Sequence, residues 1–339
     1  MMSVYPKFLI YKASFLSSVL LVIAALLAPA FVAASQPIDR DNTQTITPET
    51  TAGLQAFFKA LDYEWMQFEN GAPPFILERI PADINRTVST VEKKHTFFMG
   101  LLPMVLLANQ EIKNEREEIL LILGRHRTRT TEEGDRERLK EISARYGLRG
   151  RPFIDHRARS RLLRRVDTIP PALVLSQAAN ESAWGTSRFA QQGNNLFGEW
   201  TYKPGTGIVP AGRPAGKTYE VRKFPSIYES IRSYMNNLNR NGAYRKLREI
   251  REELRKSGQP VSGIALARGL VKYSQRGEEY IKEIQGMIRH NKLALADTAF
   301  LRRPKKEILI SISTSGSGFF STRNRLIGHH PFASNLSYP

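Results

Sequence analysis

Hydrophobic residues recur along most of the chain at the three-to-four-residue spacing of amphipathic helices. Six segments follow this pattern. They are residues 53–67, 88–123, 139–146, 226–239, 261–270 and 278–291. A further helix is expected after Ile169-Pro170-Pro171, where small and apolar residues continue to Ala183 and Gly185 can end the helix.

Two segments depart from helical spacing. Residues 196–202 and 217–224 have the pattern of short strands, and a loop rich in glycine and proline (KPGTGIVPAGRPAG) separates them. The sequence therefore predicts an α+β fold that is mainly α, with a small β-hairpin lobe.

The most apolar part of the second helical segment is residues 97–108 (FFMGLLPMVLLA). It has 12 residues, whereas a transmembrane helix needs about 20. We therefore expect a buried core helix.

The N-terminus predicts export. Lys7 and Lys12 precede an apolar run over residues 15–28, and Val32-Ala33-Ala34 fits a small-residue cleavage site. This pattern is typical of a signal peptide over residues 1–34. The alternative is an uncleaved inner-membrane anchor through residues 15–34. Both interpretations place the rest of the chain in the periplasm or cell envelope.

Composition narrows the classes of partner and site. The 339-residue chain has 50 Lys and Arg against 32 Asp and Glu, a net charge of +18, which favours an anionic partner. For an exported protein, that partner is an envelope polymer rather than nucleic acid. The absence of cysteine excludes disulfides, cysteine peptidases and thiolate metal sites. None of the six histidines has metal-ligand spacing, and no cofactor is predicted.

The expected organisation has five parts. They are the signal peptide or anchor (1–34), a flexible linker (35–52), an N-terminal helical region (53–165), a second domain (166–296) and a basic, Ser/Gly-rich, poorly ordered tail (297–339). Residues 149–165 contain seven arginines. These form either a solvated helix face or a surface that docks on an acidic polymer.

Glu181 is the main candidate for chemistry. It lies near the end of a predicted helix built of Ala, Leu and Val, and burial there would raise the pKa of its carboxyl. A carboxyl still protonated near neutral pH can protonate the leaving oxygen of a glycosidic bond. The alternative is an ordinary glutamate exposed at a helix end.

Two motifs surround this residue. The segment from Ala178 to Gly185 (AANESAWG) and the segment from Gly193 to Gly198 (GNNLFG) resemble the glucosaminidase domain of glycoside hydrolase family 73, in its bacterial Bax-like branch. The resemblance covers residues 54–295. It implies a lysozyme-like fold with a groove between a helical lobe and a β-lobe. It also implies cleavage beside N-acetylglucosamine in peptidoglycan or a related N-acetylglucosamine glycan, with Glu181 as the general acid.

The family's second acidic residue lies in the β-lobe, and the resemblance favours Glu220, which is 39 residues after Glu181. On an alternating strand, Glu220 shares a face with Thr218 and Arg222. Such a carboxylate would activate water or stabilise the charged transition state. Glu199 is the rival candidate.

The resemblance also implies substrate contacts for Asn194, Asn195 and Tyr273. Trp184 and Phe197 are added as candidates because aromatic rings can stack on sugars, although core packing is the favoured role for both. The alternatives are turn formation for the asparagines and core packing for the Tyr273 ring. For Tyr280 we favour a structural role.

The predicted function is therefore an exported peptidoglycan hydrolase. A lytic transglycosylase remains a rival because it also uses one glutamate on a lysozyme-like helix. A non-catalytic murein-binding protein is the rival from another class, and nucleic-acid binding through the arginines conflicts with export.

Overall fold

A computed structural model describes residues 43–303. The predicted signal peptide or anchor (1–34) and residues 304–339 of the predicted tail lie outside the described residues. The described part is mainly helical. Its helices are α1 (Thr51–Ala60), α2 (Thr90–Thr128), α3 (Asp135–Arg145), α4 (His156–Arg165), α5 (Pro171–Ser182), α6 (Arg188–Gly193), α7 (Ile227–Arg240), α8 (Arg245–Lys256), α9 (Gly263–Ala267) and α10 (Glu278–His290).

Two small sheets accompany the helices. In the first, β1 (Gln44–Ile46) pairs in parallel with β2 (Phe75–Leu77). The second has antiparallel strands in the order β3–β5–β4, formed by Trp200–Thr201, Glu220–Arg222 and Gly207–Ile208. The predicted fold class, α+β and mainly α with a small β-lobe, is confirmed.

The long helix α2 organises the helical part. Its 39 residues give a length of about 58 Å. The Ser89 side chain caps its start by accepting from the backbone N–H of Glu92 at 3.2 Å. Every side chain from Thr96 to Asn109 is buried, so this section lies in the core as expected. No helix within residues 43–303 is both long and apolar enough to cross a membrane.

Helix α5 lies against α2, α9 and α10. Its entry is clamped by Asn109, which accepts from the Ile169 backbone N–H at 2.9 Å and donates to the Ile169 carbonyl at 2.8 Å. Asp297 accepts from the backbone N–H groups of Ala172 and Gly263 at 2.8 and 2.9 Å. These bonds fix α5 before it reaches Glu181.

A buried arginine strengthens the same junction. Arg251, only 1% exposed, donates to the carbonyl oxygens of Asp167, Thr168 and Arg164, each at 2.9 Å. Burial lowers the pKa of Arg251 to about 10. Because three carbonyl groups accept from this one side chain, the segment leading into α5 has little freedom.

The small β-lobe is held together from its centre by Asn195. Its Nδ2 donates to the carbonyl oxygens of Glu199 and Arg222, both at 2.9 Å. Its Oδ1 accepts from the backbone N–H groups of Phe197 and Glu199. A single buried amide thus joins the chain before β3 to strand β5.

Three sequence-based expectations need correction. The flexible linker predicted over 35–52 is wrong from Gln44 onward, because that segment forms β1 and begins α1. The predicted tail begins as ordered chain, since Ala72 exchanges backbone hydrogen bonds with Phe300 and Arg302 at 2.7 and 2.9 Å. Helix α2 also continues to Thr128, beyond the end of the helical segment predicted over 88–123.

The predicted division at residues 165 and 166 stays a prediction. Buried side chains on both sides of it belong to the same hydrophobic core, and α2 packs on both α5 and α7. The helices before residue 166 therefore support the element that carries Glu181.

Candidate active site

The end of α5 sets the position of Glu181. The chain leaves the helix through Ala183, Trp184 and Gly185, all with positive φ (50°, 55° and 77°). The Ser182 hydroxyl donates to the Ala178 carbonyl at 2.6 Å and accepts from the Gly185 N–H at 2.8 Å. Left-handed backbone at two non-glycine residues persists only where surrounding contacts enforce it.

Glu181 is partly buried on the last turn of α5. Its Oε1 accepts a hydrogen bond from the Tyr280 hydroxyl at 2.7 Å. Burial raises the pKa of Glu181, the Tyr280 and Asn180 hydrogen bonds lower it, and the charge of Glu283 raises it; the net shift is upward. The environment therefore favours the protonated carboxyl.

A buried hydrogen-bond chain extends behind this contact. The Tyr280 hydroxyl accepts from Gln177 Nε2 at 2.8 Å. Gln177 Oε1 in turn accepts from the Tyr234 hydroxyl on α7. Gln177 is fully buried, and Tyr234 and Tyr280 are 1% and 3% exposed. Residues on α5, α7 and α10 thus act together on one oxygen of Glu181.

Stacked rings support that chain. The Tyr273 ring stacks on Tyr280 with centroids 5.2 Å apart, and the Phe197 ring stacks on Tyr234 at 3.8 Å. The Tyr273 hydroxyl donates to the Phe197 carbonyl at 3.3 Å. Tyr273 therefore joins the glucosaminidase-like motif around Phe197 to Tyr280. One face of the buried Phe197 ring is covered by Tyr234.

Glu220 has a different environment. Its side chain is buried in the β-lobe, 6% exposed. Its two carboxylate oxygens accept from the backbone N–H groups of Gly205 and Gly207 at 3.0 and 2.8 Å. These bonds lower the pKa of Glu220. The carboxylate is ionised and ties the β3–β4 loop to β5.

Glu199 contrasts with Glu220. Its Oε2 accepts from the Ser233 hydroxyl at 2.7 Å and lies 3.8 Å from the Arg222 guanidinium. Its Oε1 is buried and has no hydrogen-bond partner among the described residues. Burial raises the pKa of Glu199 to about 7. The negative charges of Glu181 and Glu199 both raise the pKa of the Tyr234 hydroxyl. The same buried tyrosine is therefore near both carboxyl groups.

The remaining predicted substrate residues have contacts within the protein. Asn194 takes a left-handed conformation (φ 51°) and donates to the Phe224 carbonyl at 3.2 Å, while Asn195 is the buried clamp described above. Trp184 is partly buried, and the Lys94 ammonium lies 5.2 Å from its ring centroid. Their predicted contacts with sugar stay predictions.

The seven arginines of residues 149–165 divide into two groups. Three bind within the protein: Arg159 and Arg165 donate to backbone carbonyl oxygens, and Arg164 pairs with Glu252 at 2.6 Å. The other four are exposed. They are Arg149, Arg151, Arg157 and Arg161. The alternative of docking on an acidic polymer therefore rests on these four.

Sequence reasoning missed three residues of the Glu181 environment. Tyr280, for which a structural role is favoured, bonds directly to Glu181. Gln177 lies four residues before Glu181, so the i, i+4 spacing on one helix could have indicated a shared face. Tyr234 has no such signal, because its position on the apolar face of its predicted helix is typical of core packing.

The chain has relatives among known proteins. Residues 159–293 match the glucosaminidase family described as mannosyl-glycoprotein endo-β-N-acetylglucosaminidase. Protein bax of Escherichia coli K12 is 32% identical over 214 residues, which are 63% of this chain and 75% of that protein.

The chain also has a weak likeness to a solved structure. The catalytic domain of the autolysin Auto from Listeria monocytogenes is 18% identical, over 54% of this chain and 86% of that one, with a TM-score of 0.26. That score is too low to demonstrate a common fold. The family match and the relationship to protein bax assign the chain: it belongs to the glucosaminidase family of glycoside hydrolases.

Proposed function

We propose that the protein is an exported peptidoglycan hydrolase that cleaves β-1,4 glycosidic bonds at N-acetylglucosamine, with Glu181 as the general acid. The observation that carries the proposal is the carboxyl of Glu181, which is partly buried, has a raised pKa and is held on one oxygen by Tyr280. The substrate follows from the family's glucosaminidase activity and from the predicted export. The excess positive charge suits an anionic envelope polymer.

In the proposed reaction, Glu181 gives its proton to the glycosidic oxygen as the bond from that oxygen to the sugar C1 breaks. Water attacks C1, and a second carboxylate takes the proton of the water. General acid–base steps of this kind contribute about 10²- to 10⁴-fold to a rate.

The structural features favour Glu199 over Glu220 as that base. Glu199 has a carboxylate oxygen without a partner in the described residues and a pKa of about 7, and a base works best when its pKa is near the operating pH. Both oxygens of Glu220 already accept backbone hydrogen bonds. Catalysis by Glu220 remains the untested prediction.

The test is mass spectrometry of fragments released from purified sacculi. Reducing N-acetylglucosamine ends are expected from the wild type and no fragments from Glu181→Gln. Anhydro-muramic ends would instead establish a lytic transglycosylase.

A second measurement addresses the non-catalytic alternative. A murein-binding protein would sediment with sacculi without clearing their turbidity, and Glu181→Gln would behave as the wild type does. We expect Glu181→Gln to bind sacculi but not to clear them. Equal behaviour of the two proteins in both assays would refute the enzymatic proposal.

A further inference from the structure

The hydrogen bonds behind Glu181 have a defined direction. A tyrosine hydroxyl has one hydrogen to donate, and a glutamine amide has separate donor and acceptor ends. Tyr234 donates to Gln177 Oε1, and Gln177 Nε2 donates to the Tyr280 oxygen. Tyr280 then donates its one hydroxyl hydrogen to Glu181 Oε1. Each step fixes the next.

The opposite direction is disfavoured at Tyr234. If the Gln177 amide were turned over, its NH₂ group would face the Tyr234 hydroxyl, which would then need another acceptor. Within residues 43–303 this hydroxyl has no hydrogen bond other than the one to Gln177. A buried hydroxyl hydrogen without a partner costs about 1–3 kcal/mol.

The direction of these hydrogen bonds decides which oxygen of Glu181 carries the acid proton. An oxygen that accepts a hydrogen bond from Tyr280 is a poor place for the proton of a carboxylic acid. When Glu181 is protonated, its proton therefore belongs on Oε2, the carboxyl oxygen that accepts no hydrogen bond from this hydrogen-bond chain. A turned Gln177 would let Tyr280 donate to the amide oxygen and accept a hydrogen bond from a protonated Glu181 Oε1.

We propose that Gln177 and Tyr234 are positioning residues that fix the direction of this hydrogen-bond chain and thereby place the acid proton of Glu181 on Oε2. Neither residue is expected to touch the substrate. They act through Tyr280. The catalytic meaning of the inference rests on Glu181 being the general acid, whereas the direction of the chain can be measured without substrate.

Several charged and titratable groups surround Glu181. From α10 they are Tyr280 and Glu283, from α7 Tyr234, and from the segment before α10 Tyr273. Tyr244 acts on both Tyr234 and Tyr273, and Glu199 acts on Tyr234. The proposed substitutions leave the charges of Glu283 and Glu199 unchanged, so a change in the pKa of Glu181 would report on the hydrogen bonds.

The test compares Tyr234→Phe with Tyr228→Phe in the full chain. Both tyrosines lie on α7 and are 1% exposed, but the Tyr228 hydroxyl donates to Glu111, outside the chain, at 2.7 Å. Without the Tyr234 hydroxyl, the Gln177 amide is free to turn. Because the turned amide favours protonated Glu181, the pKa of Glu181 should rise by about half a unit in Tyr234→Phe.

Two readouts follow this pKa. The first is the pH titration of the Glu181 Cδ resonance, assigned with Glu181→Gln. The second is the alkaline limb of the pH–rate profile, which should move upward with a fall in kcat of about tenfold and an unchanged KM. Gln177→Met, which removes both ends of the amide, should shift the pKa in the same direction, and Tyr228→Phe should shift neither readout.

An unshifted Glu181 titration in both Tyr234→Phe and Gln177→Met would overturn the inference, as would an equal shift in Tyr228→Phe. Failure of the proposed function would look different. Glu181→Gln would then remain active, while the titrations would still show the direction of the hydrogen bonds behind Glu181.

Discussion

The helical region around Glu181 and the β-lobe around Glu220 shift the pKa of a carboxyl group in opposite directions. At Glu181, burial outweighs one hydroxyl donor and a second amide contact, so the pKa rises. At Glu220, two backbone N–H groups bind the two oxygens, so the pKa falls although the side chain is buried. Burial alone thus does not decide the charge of a carboxyl. At Glu181 the two donors share Oε1, at 2.7 and 3.5 Å, whereas at Glu220 each oxygen has its own backbone donor within 3.0 Å.

Glu199 shows that the direction of the pKa shift does not depend on which lobe holds the carboxyl. It lies beside β3, in the same lobe as Glu220, yet burial raises its pKa to about 7, because the Ser233 hydroxyl and the Arg222 charge do not offset that burial. The difference separates a carboxylate that holds a loop together from two carboxyls whose pKa is raised by burial.

The largest expected effect is on activity. Glu199→Gln should lower kcat/KM on sacculi by about 10²- to 10³-fold, because it removes the proposed base, while Glu220→Gln should stay within about tenfold of the wild type. Rates of fragment release by the two matched variants provide the measurement. A larger loss in Glu220→Gln would reverse the assignment.

Gly185, at the end of α5, and Gly198, in the β-lobe, allow the backbone constraints of the two regions to be compared. Both have positive φ, but a Cβ at Gly185 would overlap the Ile80 side chain, whereas Gly198 has open space. Gly185→Ala should lower the free energy of unfolding by about 3 kcal/mol through overlap and strain, and Gly198→Ala by about 1 kcal/mol through strain alone. Urea unfolding measures both, and equal losses would mean that the end of α5 is not fixed by packing.

Glu199→Gln should also raise stability at alkaline pH. The folded-state pKa of Glu199, about 7, lies above its ordinary value of 4.5, so ionisation of this buried group opposes folding as pH rises between those values. At pH 8 the variant should be more stable than the wild type by about 3 kcal/mol, and at pH 4 the two should agree. Denaturant unfolding at the two pH values tests this, and a constant difference would contradict a buried titrating carboxyl.

Glu220→Gln should have the reverse dependence and the smallest effect. A lowered folded-state pKa stabilises the protein above the ordinary pKa of glutamate, and the contribution is lost as pH falls through the lowered value. The variant should melt a few degrees below the wild type at pH 7, and the gap should narrow toward pH 3. Calorimetry at both pH values distinguishes this from a loss that is independent of pH.

Much of the fold could be predicted from local pattern. The capping serine at Ser226 and the apolar face after it predict a helix over 226–239, and α7 is found at Ile227–Arg240. The prolines before α5 likewise mark its start at Pro171. The strand predictions overran, since 217–224 contains only the three residues of β5. Paired strands depend on a partner distant in sequence, whereas helices are formed by neighbours.

The sequence by itself determined the family, the helix that carries Glu181 and the apolar surroundings that raise its pKa, because all of these reside in a short contiguous motif. Only the tertiary structure decided which groups reach that carboxyl. The Tyr280 hydroxyl comes from 99 residues away, and Tyr234 acts through Gln177 from 57 residues away. It also decided that Glu220 accepts two backbone N–H groups while Glu199 keeps an oxygen without a partner in the described chain. Hydrogen-bond donors are supplied by the packing of separate elements, which no local pattern encodes.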